Sequence, residues 1–214
     1  MTTRPRTGGG LGLQSPVNRE LEKLLAATNN PQPPVYAPRE DSLLFLEAIS
    51  NLALEGSKVL DMGTGSGILA LFCAMRGGNV TASDVDETAV KETERVARAL
   101  GLRLSLVVSD LFASIPGRFD LVLFNPPYLP SKNIEDRTVD GGPEGALLIE
   151  RFLNDLPNHL ESGAQAFLLL STLNKPDAVQ RHHGNFEFSI VAKRSLFFEE
   201  LQVLRLHPRN YFAI

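Results

Sequence analysis

From residue 35 onward the chain alternates short apolar runs with longer amphipathic ones, and this rhythm restricts the fold more than any other feature. "KVLDM" (58–62), "NVTASD" (79–84), "LSLVVSD" (104–110), "FDLVLFN" (119–125) and "AQAFLLLS" (164–171) read as strands. "GILALFCAM", "DETAVKETERVARAL" and "ALLIERFLNDLPNHL" between them have helical spacing. "DSLLFLEAISNLA" before the first strand and "KPDAVQRHH" after the fifth complete the helices. Strands apolar on both faces must be covered on both sides, which predicts a parallel sheet between helical layers. "FEFSIVAKR" and "ELQVLRLHP" close the chain as adjacent strands able to pair antiparallel. The expected fold is α/β and Rossmann-like: a seven-stranded, mostly parallel sheet with helices on both faces and an antiparallel C-terminal strand.

A length of 214 residues favours one domain with a real core. The net charge of −4 argues against a surface built to grip nucleic-acid backbone. The single cysteine, Cys73, sits in the apolar run "ILALFCAM", so no internal disulfide forms and no zinc site is spelled out. With no apolar signal core at the start and no stretch of membrane-spanning length, the cytoplasm is the expected location. Residues 1–34 stand apart: Gly8-Gly9-Gly10 and "NNPQPPV" bracket a short helix, "VNRELEKLLAAT". This segment is expected to be a loosely attached, flexible arm preceding a domain at 35–214.

"VLDMGTGSGILAL" places Asp61, Gly63, Gly65 and Gly67 between the first strand and its helix. Glycines there let the chain turn sharply and let a ligand approach the backbone. The G-x-G-x-G spacing differs from the dinucleotide fingerprint, and no P-loop lysine follows, so a nucleoside without phosphates fits better. Asp84 ends the second strand, where a carboxylate can accept both hydroxyls of a ribose. Asp110 ends the third, where it can accept from an adenine amino group while Leu111 packs on the ring. A single acid at such a place serves equally as a helix cap or turn residue. Three at consecutive strand ends suit S-adenosylmethionine, with S-adenosylhomocysteine as product and no metal expected.

The fourth strand stops on Asn125-Pro126-Pro127-Tyr128. Methyl transfer from a sulfonium needs little help at the leaving group; the difficulty lies with an acceptor nitrogen whose lone pair is delocalised. The Asn125 side-chain oxygen and the Pro126 carbonyl can take its two N–H groups and aim the lone pair. The prolines stiffen the backbone, and Tyr128 offers a face for a planar group. Catalysis of this kind rests on positioning rather than on a general base.

At this point the residues resemble the HemK/PrmC-like glutamine methyltransferases, which modify the Gly-Gly-Gln glutamine of translation release factors. The likeness runs from about Val35 to Pro208 and includes "VYAPREDSLLFLEAI", "LDMGTGSG", "SDLF" (109–112), "NPPYLP", "DGGPEGALLIERFL" (140–153) and "EELQVLRLHP". It implies a class I methyltransferase fold. It also implies that Ser42, Asp61, Gly63, Gly65, Gly67, Asp84, Asp110, Leu111 and Asn125 contact the cofactor, with Tyr36 in the segment over its methionine end. Asn125, Pro126, Pro127 and Tyr128 would hold the glutamine. The short archaeal and eukaryotic branch further implies a small zinc-ribbon activator subunit as partner. The same tetrapeptide occurs in nucleic-acid amino methyltransferases acting on adenine or guanine, the alternative acceptor class. His182 and His183 read as a solvated helix end, and Glu150 and Arg151 either pair around the 141–145 loop or face water.

Overall fold

A computed structural model describes residues 16–29, 31, 35, 37–127 and 147–209. In chain order these form α1 (Pro16–Thr28), α2 (Glu40–Ile49), β1 (Lys58–Met62), α3 (Ile68–Met75), β2 (Asn79–Asp84), α4 (Glu87–Ala99), β3 (Ser105–Val108) and β4 (Phe119–Phe124). Then follow α5 (Leu147–Asp155), β5 (Leu160–Ser171), α6 (Pro176–His182), β6 (Phe186–Ser195) and β7 (Glu200–Pro208). The seven strands make one sheet in the order β3-β2-β1-β4-β5-β7-β6. The first five run parallel, and β7 lies antiparallel to both β5 and β6. The expected architecture is therefore the observed one.

Strict alternation along the strands divides the core into two layers. Val59, Leu121, Leu123, Phe167, Leu169, Leu201 and Val203 face one side, against α2, α3 and part of α4. Leu60, Met62, Val122, Phe124, Leu168, Leu204 and Leu206 face the other, against α5, the 111–115 segment and Val179 of α6. Phe152 of α5 lies on Phe124 at 4.5 Å between centroids and near Phe112 at 5.5 Å, so α5 is seated by rings.

Four features differ from the sequence expectation. The helix in the N-terminal segment forms, but it is not loosely held: Leu24 is fully buried in the first core layer, with Leu21 and Leu25 packed against that layer. The strand at 104–110 is shortened to Ser105–Val108, because Leu111 takes a left-handed backbone with φ of 48° and turns the chain away. The helix before β5 ends at Asp155, giving way to a tighter turn over Leu156–His159 that contains Pro157. His183 also departs from its reading as solvated: it is buried, and its Nε2 lies 2.8 Å from Glu150 Oε2. Among the described residues no helix is long and apolar enough to cross a membrane.

Candidate active site

Parallel strands place their carboxyl ends, and the loops leaving them, on one edge of the sheet. There β1, β2 and β4, with the segment after β3 and the start of α2, surround a cavity of about 410 Å³. Ser42, Gly63, Gly65, Asp84, Asp110, Leu111, Asn125, Pro126 and Pro127 all line it, so the structure brings most of the sequence-assigned residues to one place. Tyr36 and Tyr128 lie outside the described residues.

The glycine loop explains its own composition. Gly65 has a φ of 53°, and its N–H donates to Asp84 Oδ2 at 3.0 Å. Gly67 has a φ of 81° and caps α3; a Cβ there would stand 2.7 Å from Thr93 Oγ1. Neither the dihedral nor the space admits a side chain.

Asp61, which the resemblance implied as a cofactor contact, lies behind the loop. It is 1% exposed and does not line the cavity. Its Oδ2 accepts from Thr64 Oγ1 at 2.7 Å and from the Ala70 N–H at 3.1 Å, tying the loop to the first turn of α3. Burial pushes its carboxyl from 3.8 up to about 7; the bonds from Thr64 and Ala70 oppose this, and the nearby Asp84 charge adds to it. Gly67 likewise is absent from the lining; its missing Cβ lets the loop lie against Thr93 of α4.

Asp84 does face the cavity. It accepts the Gly65 N–H on Oδ2 and the Asp86 N–H on Oδ1, at 3.0 and 2.9 Å. A carboxylate has about four lone-pair sites, so Asp84 keeps acceptor capacity toward the cavity. Burial raises its pKa, opposed by the N–H groups of Asp86 and Gly65. Asp110, more exposed, pairs with Arg151 Nη2 at 2.9 Å, a partner that neither sequence alternative for Arg151 named; the 141–145 loop lies outside the described residues. Beside it Leu111 is held in its strained conformation by the Ser109 hydroxyl, which donates to the Leu111 carbonyl at 2.8 Å.

At the end of β4, Asn125 Nδ2 donates to Asp41 Oδ2 at 2.8 Å. Among the described residues, Asn125 Oδ1 is buried without a hydrogen-bond partner. Asp41 is itself buried, on the first turn of α2. A carboxylate can only accept, so it fixes the amide orientation: nitrogen toward Asp41, oxygen away from it. Asp41 lies within the lead-in motif "VYAPREDSLLFLEAI", which by itself assigns it no role. Eighty-four residues separate the two, and no local spacing signals the contact.

The lining suits a polar, nucleoside-containing cofactor: acceptor carboxylates at the end of β2 and just after β3, a close-approach backbone at Gly63 and Gly65, and apolar Leu111. Among the described residues no group of three or more His, Cys, Asp or Glu side chains is placed to hold a metal ion.

The methyltransferase small domain family matches residues 39–197. A protein named as a protein N5-glutamine methyltransferase, from Methanocaldococcus jannaschii, is 34% identical over 181 residues, covering 80% of this chain and 91% of the relative. The release factor glutamine methyltransferase of Rhodospirillum rubrum is 39% identical over 124 residues, covering 50% of this chain but only 38% of the relative. Among solved structures, the Mtq2–Trm112 complex of E. cuniculi, responsible for methylation of the translation termination factor eRF1, superposes with a TM-score of 0.70. It is 26% identical and covers 82% of this chain and 99% of that one. The T. thermophilus 16S rRNA N2 G1207 methyltransferase, in complex with AdoMet and guanosine, gives a TM-score of 0.63 at 26% identity, covering 80% of this chain and 44% of that one. The carboxyl-end cavity, the glycine loop and these likenesses agree: the chain belongs to the methyltransferase small domain family, among its HemK-like glutamine methyltransferases.

Proposed function

We propose that the protein transfers a methyl group from S-adenosylmethionine to the side-chain amide nitrogen of a protein glutamine, the Gly-Gly-Gln glutamine of a translation release factor. The observation that carries this reading is Asn125 at the cavity, its carboxamide held through Nδ2 by Asp41 and its Oδ1 buried and, among the described residues, without a hydrogen-bond partner. A buried oxygen without a donor is costly unless something supplies one. The N–H of a planar amide is such a donor.

Gly63, Gly65, Asp84, Asp110 and Leu111 would hold the cofactor, which supplies an electrophilic methyl on a positively charged sulfur. The chain's own contribution is orientation. Asn125 Oδ1 takes one amide N–H, and the Pro126 carbonyl takes the other, without an N–H of its own to compete. Two acceptors in fixed positions turn the nitrogen lone pair out of conjugation, an interaction worth more as the nitrogen becomes tetrahedral than before. The proton can leave through Asn125 or water once the nitrogen is positively charged.

The relatives' named acceptors support the glutamine reading, and the E. cuniculi complex supports a small partner subunit beside the catalytic chain. The guanine-modifying structural neighbour favours one alternative, an amino group of RNA. Incubation with labelled S-adenosylmethionine, a release factor and rRNA separates them: label on the factor, lost when its glutamine is replaced, is expected. Asn125→Ala should abolish turnover while cofactor affinity stays within about tenfold, under ~1.4 kcal/mol. Label on rRNA alone, or equal loss of turnover and binding, would refute the assignment.

A further inference from the structure

The β6–β7 hairpin ends in two phenylalanines that serve neither the core nor the turn. Phe197 is 92% exposed and Phe198 88%, their rings edge to face with centroids 4.6 Å apart. Two-residue hairpin tips favour glycine, asparagine and aspartate, so two phenylalanines are not there for turn formation. Nor does looseness of the chain explain the exposure. The Leu196 N–H donates to the Glu199 carbonyl at 2.7 Å, and Leu196 packs on the first core layer. The Glu199 carboxylate accepts from Ser171 Oγ, and the Glu200 N–H donates to Thr172 Oγ1 at 3.1 Å.

The register sets where the tip points. Ser171, the last residue of β5, pairs with Leu201, and Ser195 pairs with Glu200. The turn at 196–199 therefore leaves the sheet at the carboxyl ends of the parallel strands, the edge that holds the cavity. Its root is tied to the cavity wall as well. Arg194 reaches the Glu40 carbonyl at 3.4 Å and Glu47 at 3.2 Å, on the helix whose first turn carries Asp41 and Ser42. The other exposed apolar residues of β6, Ile190 and Val191, lie roughly 20 Å back along the strand and do not extend the patch.

We propose that the Phe197–Phe198 tip is a docking contact for the polypeptide that carries the acceptor amide, taking an apolar side chain of that polypeptide away from the acceptor itself. The proposal rests on the protein-substrate reading above. Size selects the occupant. Two rings offer about 300–500 Å², well short of the ~800 Å² per partner of a stable interface. That suits a substrate which must dissociate after each turnover better than a second copy or a permanent subunit. Close to the turn the cations Lys193 and Arg194 are already paired with Glu200 and Glu47, and Glu199 adds a further carboxylate, so the described residues offer no basic excess to an anionic lipid surface.

The test compares wild type, Phe197→Ser/Phe198→Ser and Phe197→Leu/Phe198→Leu on two acceptors, a purified release factor and a short peptide centred on its glutamine. The serine pair should raise KM for the intact factor about tenfold or more, with kcat and cofactor Kd unchanged. The peptide, too short to reach the tip, should show no change, and the leucine pair should recover most of the loss. An unchanged KM for the factor overturns the proposal, as does an equal loss on both acceptors. So does a wild-type dimer that the serine pair dissociates, or vesicle binding that the serine pair abolishes. A wild type inactive on the factor even with the small partner subunit supplied refutes the acceptor reading and this proposal with it, an outcome distinct from an active wild type indifferent to the substitution.

Discussion

Replacing Asp41 with alanine removes the acceptor that holds the Asn125 carboxamide, and the consequence can be worked from the geometry. The bond is 2.8 Å long, between a buried carboxylate and an amide N–H. A hydrogen bond to a charged group contributes about 1.5–3 kcal/mol. Without it the amide can turn its NH₂ toward the acceptor, which also offers N–H, so donor meets donor. A loss of about 2 kcal/mol from the transition state lowers kcat about thirtyfold. Cofactor affinity, set by the glycine loop, Asp84 and Asp110, should change little. Steady-state kinetics with saturating cofactor, beside a direct binding measurement, reads the two separately. The exchange Asn125→Asp/Asp41→Asn is the decisive control. Asn125→Asp alone brings two buried carboxylates together and should be nearly inactive. In the double variant residue 41 donates to residue 125, which again presents an oxygen to the acceptor, so activity should return at least in part. If Asp41→Ala leaves kcat within a factor of two, or the exchange restores nothing beyond Asn125→Asp, the orientation argument is wrong.

Asp61 sets a pH dependence. Its folded pKa, about 7, lies above the ordinary 3.8, so the folded state binds more protons between those values and its stability falls as pH rises from about 4 to 7. The loss is on the order of 4 kcal/mol, and urea midpoints at pH 5 and pH 8 should differ for the wild type and converge in Asp61→Asn. Gly67→Ala meets both a φ of 81° and Thr93 at 2.7 Å and should cost more than about 2 kcal/mol. Gly65→Ala, at 53° with nothing within reach of the new Cβ, should cost about 1–2; thermal unfolding ranks the two. Leu24→Ala should destabilise the protein by about 2–3 kcal/mol if α1 belongs to the core as its burial indicates, and by almost nothing if the N-terminal segment is a detached arm.

What the sequence made legible follows from how local each signal is. β1 and β2 occupy the residues expected of them because each is a short apolar run closed by a glycine loop or an acid, which says both what it is and where it stops. Cavity residues at strand ends were legible for the same reason: once the strands run parallel, their carboxyl ends converge whatever the remaining contacts are. Contacts between distant segments left no such trace. Asp41 with Asn125 and His183 with Glu150 pair residues 84 and 33 positions apart, and nothing near either partner announces the other. The burial of α1 was hidden for a further reason. An amphipathic helix between glycine-rich and proline-rich stretches reads alike whether its apolar face meets a core or a passing partner.

Asp61 shows how one motif position can serve the loop that carries it. An acid two residues before a glycine loop fits a ligand contact and a loop tether equally well in sequence. The choice is made by which way the side chain leaves β1. Leu60 and Met62 face the layer under α5, so Asp61 points to the opposite side, toward α3. There Thr64 and Ala70 of its own chain reach it before any ligand could. The tether carries a cost in burial, visible in the raised carboxyl pKa, and what it secures is the position of Gly63 and Gly65 at the cavity wall. Ligand binding would therefore depend on Asp61 through the loop it holds. Disturbing that residue should move affinity and stability together, whereas disturbing Asp41 should move turnover alone.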